Sequence, residues 1–150
     1  MRVALFEPDI PQNTGNILRL GACMDIAVDI IEPTGFIFDD KKFKRALMDY
    51  VDHVNLKRHV DWNNFFDWSK KNNYRLILLT TKSFINYSEF KFDNSDILIF
   101  GRESAGVPKL VHEKVYERIT IPMKNGLRSL NVSTAVAITV GEAFRQLNLF

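Results

Sequence analysis

Two continuous apolar runs of strand length constrain the fold of this chain more than any other feature. They span residues 75–80 (RLILLT) and 96–100 (DILIF). A strand that is apolar at every position must be covered on both faces, which is typical of a parallel sheet between helices. Runs at residues 2–7 and 28–32 predict two further strands. Strand and helix patterns alternate without repeats or linkers, so the sequence predicts one α/β domain with a mostly parallel sheet flanked by helices.

Shorter patterns predict the remaining elements. Asn13 or Thr14 is expected to cap a helix that runs to about Met24, and Ser129 or Asn131 to cap the closing helix. Two weaker strand patterns lie at 54–56 and 116–121. Three further helix patterns complete the chain: a charged one that Asp39-Asp40 opens (DDKKFKRALMDY) and two that cover 62–71 and 109–113, while the closing helix covers 131–147.

Composition excludes several classes of protein. At 150 residues and 46% apolar content the chain can bury a core, and its net charge of +2 neither requires nor excludes nucleic acid. The single cysteine, Cys23, cannot form an internal disulfide, and its helical, apolar-leaning surroundings favour a small core residue. No signal peptide and no apolar run of ~20 residues is present, so we expect a cytoplasmic protein without a membrane partner.

Three polar loops follow predicted strand ends, at residues 80–82, 101–108 and 122–129. Parallel strands end at the same edge of a sheet, where ligands bind, so these loops form the candidate pocket. The loop GRESAGVP (101–108) carries two glycines that let the backbone approach a ligand, although a plain turn into a helix is the alternative. It matches neither the GxGxxG fingerprint nor the P-loop, which argues against a nucleotide-phosphate site and a nucleotide-binding oxidoreductase.

Charged side chains suggest two further features. Arg19, near the polar helix start at Asn13 and Asn16, can present a fixed cation to a phosphate or a developing oxyanion, and a solvent-facing surface arginine is the alternative. Two basic clusters and Arg128 can contact an RNA backbone, and a salt-bridged surface is the equal alternative. The clusters are Lys41, Lys42, Lys44 and Arg45, and Lys57 to His59.

Histidine and carboxylate signals are weaker. His53, His59 and His112 share no ligand spacing and only one cysteine is present, so we expect no metal. Glu7 and Glu103 follow strands and form a weak candidate pair of acid and base.

Four motifs in this order resemble the SPOUT class of RNA methyltransferases. They are EPDIPQNTGNILR (7–19), EPTGFIFDDKKFKRALMDY (32–50), FGRESAGVP (100–108) and IPMKNGLRSLNVSTAV (121–136). The chain is most similar to the compact TrmL (YibK-like) family, which methylates the ribose 2′-hydroxyl of the wobble nucleotide of tRNA, a cytidine or uridine. The resemblance extends over nearly all 150 residues.

The resemblance implies properties beyond the pattern itself. This family has a C-terminal trefoil knot, works as a homodimer and uses S-adenosylmethionine. Carried over by position, Arg19 would be catalytic and Asn13 and Asn16 would shape its loop. The residues that would contact the cofactor are Leu79, Thr80, Gly101, Glu103, Gly106, Ile121, Met123, Ser129, Leu130 and Asn131.

The resemblance also implies how the chemistry would proceed, and this sequence departs from the family pattern at two points. Arginine is a poor base because its pKa exceeds ~12, so Arg19 would stabilise alkoxide charge and anchor a phosphate. Gly141 stands where close relatives typically carry a tyrosine. The sequence also shows no appended RNA-binding domain, so the basic clusters are expected to bind the tRNA. The alternatives are a ribosomal RNA ribose 2′-O-methyltransferase and a non-catalytic RNA-binding module.

Overall fold

The computed structural model of the chain describes residues 1–38, 50 and 53–150. Within these residues one sheet has the strand order β3-β2-β1-β5-β4-β6, and all of its strand pairs are parallel. Its strands are β1 (Arg2–Phe6), β2 (Ala27–Ile31), β3 (Leu56–His59), β4 (Arg75–Leu79), β5 (Asp96–Phe100) and β6 (Glu117–Ile119). The prediction of an α/β fold with a mostly parallel sheet is confirmed.

Helices cover both faces of this sheet. They are α1 (Pro11–Cys23), α2 (Trp62–Lys71), α3 (Lys109–Lys114) and α4 (Val132–Leu147). Buried side chains of α1 and α4 share one apolar cluster with one face of the sheet, and those of α2 and α3 share a second cluster with the other face. Strands β2 and β5 are buried at every position, which explains their unbroken apolar patterns.

Buried carboxylates tie neighbouring strands together. On β2, Asp29 is fully buried, and its oxygens lie 2.6 Å from Arg2 Nε of β1 and 2.7 Å from His59 Nε2 of β3. On β5, the fully buried Asp96 accepts hydrogen bonds of 2.6 and 2.9 Å from Arg75 of β4. Removing one partner of such a pair would leave a buried charge unpaired, so these contacts favour a single strand register.

Two element boundaries differ from prediction. Helix α1 starts at Pro11, with Ile10 as N-cap and no side-chain cap, because proline has the backbone angle that a first helical position requires. Asn13 and Thr14 are therefore buried within the first turn, and the prediction that either caps the helix is wrong. Strand β3 occupies Leu56–His59 rather than 54–56, because these residues pair with residues 28–31 of β2.

Other expectations had different outcomes. Helix α2 was predicted with the observed bounds, and Asn131 caps α4 by accepting from the backbone of Ser133 and Thr134. Cys23 is exposed, so its assignment to the core is wrong, because it lies on the outer side of the last turn of α1. The predicted charged helix that starts at Asp39 and Asp40 falls outside the described residues. Among the described residues, every helix is too short or too polar to span a membrane.

Candidate active site

A cavity of about 560 Å³ lies at the carboxyl edge of the sheet. Its walls are the loops after β4, β5 and β6 together with the starts of α1 and α4, so the structure brings the three predicted polar loops together. All the residues that the resemblance assigned to the cofactor line it, namely Leu79, Thr80, Gly101, Glu103, Gly106, Ile121, Met123, Ser129, Leu130 and Asn131. Their individual roles stay predictions.

The cavity has the size and chemistry of a small-molecule site. Cofactor pockets commonly enclose roughly 300–1,000 Å³ and combine apolar walls with a few polar groups. Here Leu79 and Ile121 provide apolar surface, and the hydroxyl and amide groups of Thr80 and Asn131 provide polar contacts. A cofactor with a flat aromatic base and a polar tail, such as S-adenosylmethionine, fits this set of residues.

The loop after β5 is a tight turn closed by its own backbone. The N–H of Arg102 donates to the carbonyl of Gly106 at 3.2 Å, and the N–H of Gly106 donates back at 2.8 Å. A Cβ added at Gly101 would lie 2.7 Å from the backbone of Gly106. Gly106 has a φ of +68°, a conformation in which a residue with a side chain is strained. Both glycines are therefore required by this turn.

A chain of side-chain hydrogen bonds connects three segments around the cavity. Asn131 Nδ2 donates to Asn13 Oδ1 at 2.9 Å, and Asn13 Nδ2 donates to Glu103 Oε1 at 3.0 Å. Asn13 is only 6% exposed, so these bonds are shielded from water. The start of α4, the first turn of α1 and the loop after β5 are thus held at fixed distances.

Asp9 adds a second connection that the sequence did not predict. Its backbone N–H donates to Glu103 Oε2 at 3.0 Å, and its carboxylate accepts from the backbone of Glu103 at 3.2 Å and from the Ser104 hydroxyl. The hydrogen bond with the Glu103 side chain, followed by the Ser104 donors, lowers the pKa of Asp9 from its ordinary value. Because this pKa is lowered on folding, its stabilising effect is present above the ordinary carboxyl range and is lost as pH falls towards the lowered value.

Arg19 and Asn16 do not line the cavity, although both were predicted as catalytic with Asn13. Both side chains are exposed, and the Arg19 guanidinium lies 4.9 Å from the centre of the Tyr50 ring. Arg19 is six residues beyond Asn13, about 9 Å further along the helix axis. The structure therefore places Arg19 on the exposed surface of α1, outside the cavity, where it makes a cation–π contact. Its catalytic role stays a prediction.

The predicted RNA-binding cations have different positions. Lys41, Lys42, Lys44 and Arg45 fall outside the described residues, and Arg128 is exposed on the loop before α4. Within the second basic cluster, His59 is buried against Asp29, so its assignment to a basic surface is wrong. Arg58 of the same cluster is paired with Glu32 at 2.9 Å.

Sequence reasoning did not assign His112 to the cavity, which this side chain lines together with Lys82 of the predicted loop 80–82. Burial and then the charges of Lys82 and Arg118 lower the pKa of His112. The available signal was the position of His112 on α3, which directly follows the candidate loop 101–108. Within residues 1–38, 50 and 53–150 there is no group of three or more His, Cys, Asp or Glu side chains that would hold a metal ion, and the expectation of no metal stays a prediction.

Comparison with known proteins gives one consistent family. The model of the SpoU rRNA Methylase family matches residues 1–141. A relative from Beijerinckia indica named tRNA (cytidine(34)-2'-O)-methyltransferase is 50% identical over 145 residues, which cover 97% of this chain and 91% of the relative. A relative from Escherichia coli K12 with the same name is 41% identical over 149 residues, covering 98% and 94%.

Solved structures agree with these sequence relatives. One described as "Structural insights into the 2-OH methylation of C/U34 on tRNA" has a TM-score of 0.91 and 35% identity, covering 98% of this chain and 95% of that chain. The SpoU methyltransferase AviRb from Streptomyces viridochromogenes, in complex with the cofactor AdoMet, has a TM-score of 0.89 and 21% identity, covering 99% and 60%. At that identity the second likeness concerns the fold alone.

Replacement of Gly101 by alanine tests whether the turn after β5 shapes the cavity. We expect Gly101→Ala to destabilise the protein by about 1–3 kcal/mol, because backbone must move to admit the methyl group, and to weaken S-adenosylmethionine binding. Thermal unfolding and titration calorimetry measure the two effects. Gly15→Ala on α1 is the matched control for stability, since no atom lies within 4 Å of the added Cβ. Unchanged stability and affinity in Gly101→Ala would contradict the requirement for glycine.

Proposed function

The chain belongs to the SpoU rRNA methylase family, and we propose that it is a tRNA 2′-O-methyltransferase acting on the ribose of nucleotide 34. The observation that carries the proposal is the single cavity that collects every residue assigned to the cofactor, in a chain that resembles tRNA (cytidine(34)-2'-O)-methyltransferases along nearly its whole length. Cytidine or uridine at this position is the proposed target.

S-adenosylmethionine supplies the activated methyl group for this family. In this chain the residues that would hold it are the ten cavity residues that the resemblance assigned to the cofactor, among which Leu79, Ile121 and Leu130 offer apolar surface. The Asn131–Asn13–Glu103 hydrogen bonds keep these loops in place before any ligand binds. Little reorganisation is then needed on binding, which favours affinity.

Methylation of a ribose hydroxyl requires alignment of the hydroxyl with the methyl group and stabilisation of negative charge as the proton leaves. We propose that Arg19 provides the stabilising cation and anchors a phosphate, while the proton passes to a neighbouring phosphate or water. Exposure of Arg19 suits this role, because RNA reaches the site from the outside. Asn13 is the positioning residue that links this helix to the cavity.

We further propose a homodimer, a C-terminal trefoil knot and a cytoplasmic location. The knot accords with the path of the chain after β6, at one edge of the sheet, to Asn131 beside α1. The dimer is inferred from the resemblance to the TrmL family, which works as a homodimer. Light scattering should give twice the mass of one chain, and a monomer would contradict the dimer.

Gly141 does not line the cavity, so its departure from the family pattern concerns the surface of α4.

Nucleoside mass spectrometry tests the proposed function directly. Bulk tRNA incubated with the protein and S-adenosylmethionine should gain a 2′-O-methyl nucleoside at position 34, because the similar proteins are named tRNA (cytidine(34)-2'-O)-methyltransferases. A tRNA carrying 2′-deoxyribose at position 34 is the matched control and should gain none. Methylation of ribosomal RNA instead would favour the first alternative, and tRNA binding without methylation would favour the non-catalytic module.

Substitution of Arg19 tests the catalytic assignment. We expect Arg19→Ala to lower the methylation rate at least ~10²-fold, because the developing charge loses its cation, while S-adenosylmethionine affinity stays nearly unchanged since Arg19 is outside the cavity. Single-turnover rates and calorimetry separate these quantities. Arg19→Lys keeps the charge without the planar fork and should retain part of the rate. Normal turnover in Arg19→Ala would refute the role.

A further inference from the structure

Arg102 occupies a position between the cavity and the loop that leads into α1. It lines the cavity directly after Gly101, and its guanidinium turns back towards the loop after β1. There, Nη1 donates to Glu7 Oε2 at 3.3 Å, and Nε lies 3.7 Å from Asp9 Oδ2. The side chain is 30% exposed, so part of it faces solvent at the cavity wall.

These ion pairs are long compared with the other arginine–carboxylate pairs of the described residues. Arg75 contacts Asp96 at 2.6 and 2.9 Å, and Arg145 contacts Glu142 at 2.8 Å through two nitrogens. Charge-assisted pairs in good geometry lie at about 2.7–2.9 Å, so neither contact of Arg102 is well formed. The Nε atom of Arg102 is buried and lacks a hydrogen-bond partner, as is the case for Trp62 Nε1 in the described part of the chain. An unpaired buried donor is unfavourable, so a movement of the guanidinium that brings this donor to a better acceptor is favoured.

Glu7 holds this guanidinium only weakly and in an unusual backbone conformation. Its φ is +44°, which a residue other than glycine seldom adopts, and such strain concentrates at functional sites. The Glu7 side chain is 26% exposed, so water also competes for its carboxylate. Moving the Arg102 guanidinium from Glu7 to another anion would therefore cost little free energy.

We propose that Arg102 binds a backbone phosphate of the RNA substrate, exchanging its contact with Glu7 for the phosphate oxygens. This inference rests on the proposed function, because it requires an RNA at this cavity. Residues 7–10 lead directly into α1, which carries Asn13, Asn16 and Arg19, so an RNA that reaches Arg19 passes close to Arg102. The planar guanidinium fork matches two oxygens of a phosphate.

Opposite effects of two substitutions distinguish this role from a structural ion pair. We expect Arg102→Gln to weaken tRNA binding about tenfold and to reduce the slope of log affinity against log salt by about 0.7–0.9, the value for one phosphate contact. Glu7→Gln should strengthen tRNA binding, because it removes the competing carboxylate. A purely structural pair would instead give weaker binding in both variants.

Filter binding of tRNA over a salt series, with S-adenosylhomocysteine present, measures these effects. Lys71→Gln removes one positive charge at the end of α2, at the opposite edge of the sheet, and should leave affinity and slope unchanged. Calorimetric titration with S-adenosylhomocysteine should show the same affinity for wild type and Arg102→Gln. If Arg102→Gln lowers the unfolding temperature, the variant Arg102→Lys is used in its place. Arg102→Lys keeps the charge, so it should show the wild-type salt slope but only part of the wild-type affinity for tRNA.

Two results would overturn the inference. One is an unchanged tRNA affinity and salt slope in Arg102→Gln while the wild type methylates tRNA. The other is a loss of S-adenosylhomocysteine affinity without a loss of tRNA affinity, which would assign Arg102 to the cofactor carboxylate. A wild-type protein that neither binds nor methylates tRNA would overturn the proposed function, and the inference with it.

Discussion

The hydrogen bonds that join Asn131, Asn13 and Glu103 are the constraint on which the rest of the site depends. These residues are separated by 90 and 118 positions along the chain, and each belongs to a different wall of the cavity. Asn131 also caps α4, so the same side chain starts a helix with its oxygen and holds α1 with its nitrogen. Loss of the Asn131 amide would therefore disturb both the start of α4 and the shape of the cavity.

The sheet beneath the cavity makes this arrangement possible. Asp29 and Asp96 are buried carboxylates that pair with arginines on adjacent strands, and each pair fits only one alignment of its two strands. All strand ends then fall along one edge, where the loops after β4, β5 and β6 meet. Polar groups in the sheet interior thus specify the position of polar groups in the site.

The sequence predicted those parts of the fold that local pattern determines. The apolar runs predicted β4 to within one residue and β5 with its observed bounds, because strands covered on both faces have an unmistakable composition. The cofactor residues came from the resemblance, and the structure gathers them around one cavity. Contacts between distant segments were not predictable from local pattern. Burial of His59, exposure of Cys23 and the pairing of Asp9 with Glu103 all depend on tertiary packing.

The hydrogen bond between Asn131 and Asn13 has a consequence for synthesis of the protein. During translation Asn13 has no Asn131 to bind until more than a hundred further residues have been synthesised. Helix α4 also completes one of the two apolar clusters, through Val136, Val140 and Phe144. A nascent chain that stops before this helix lacks both the last wall of the cavity and part of its core. We therefore expect that only chains extended through α4 can bind the methyl donor.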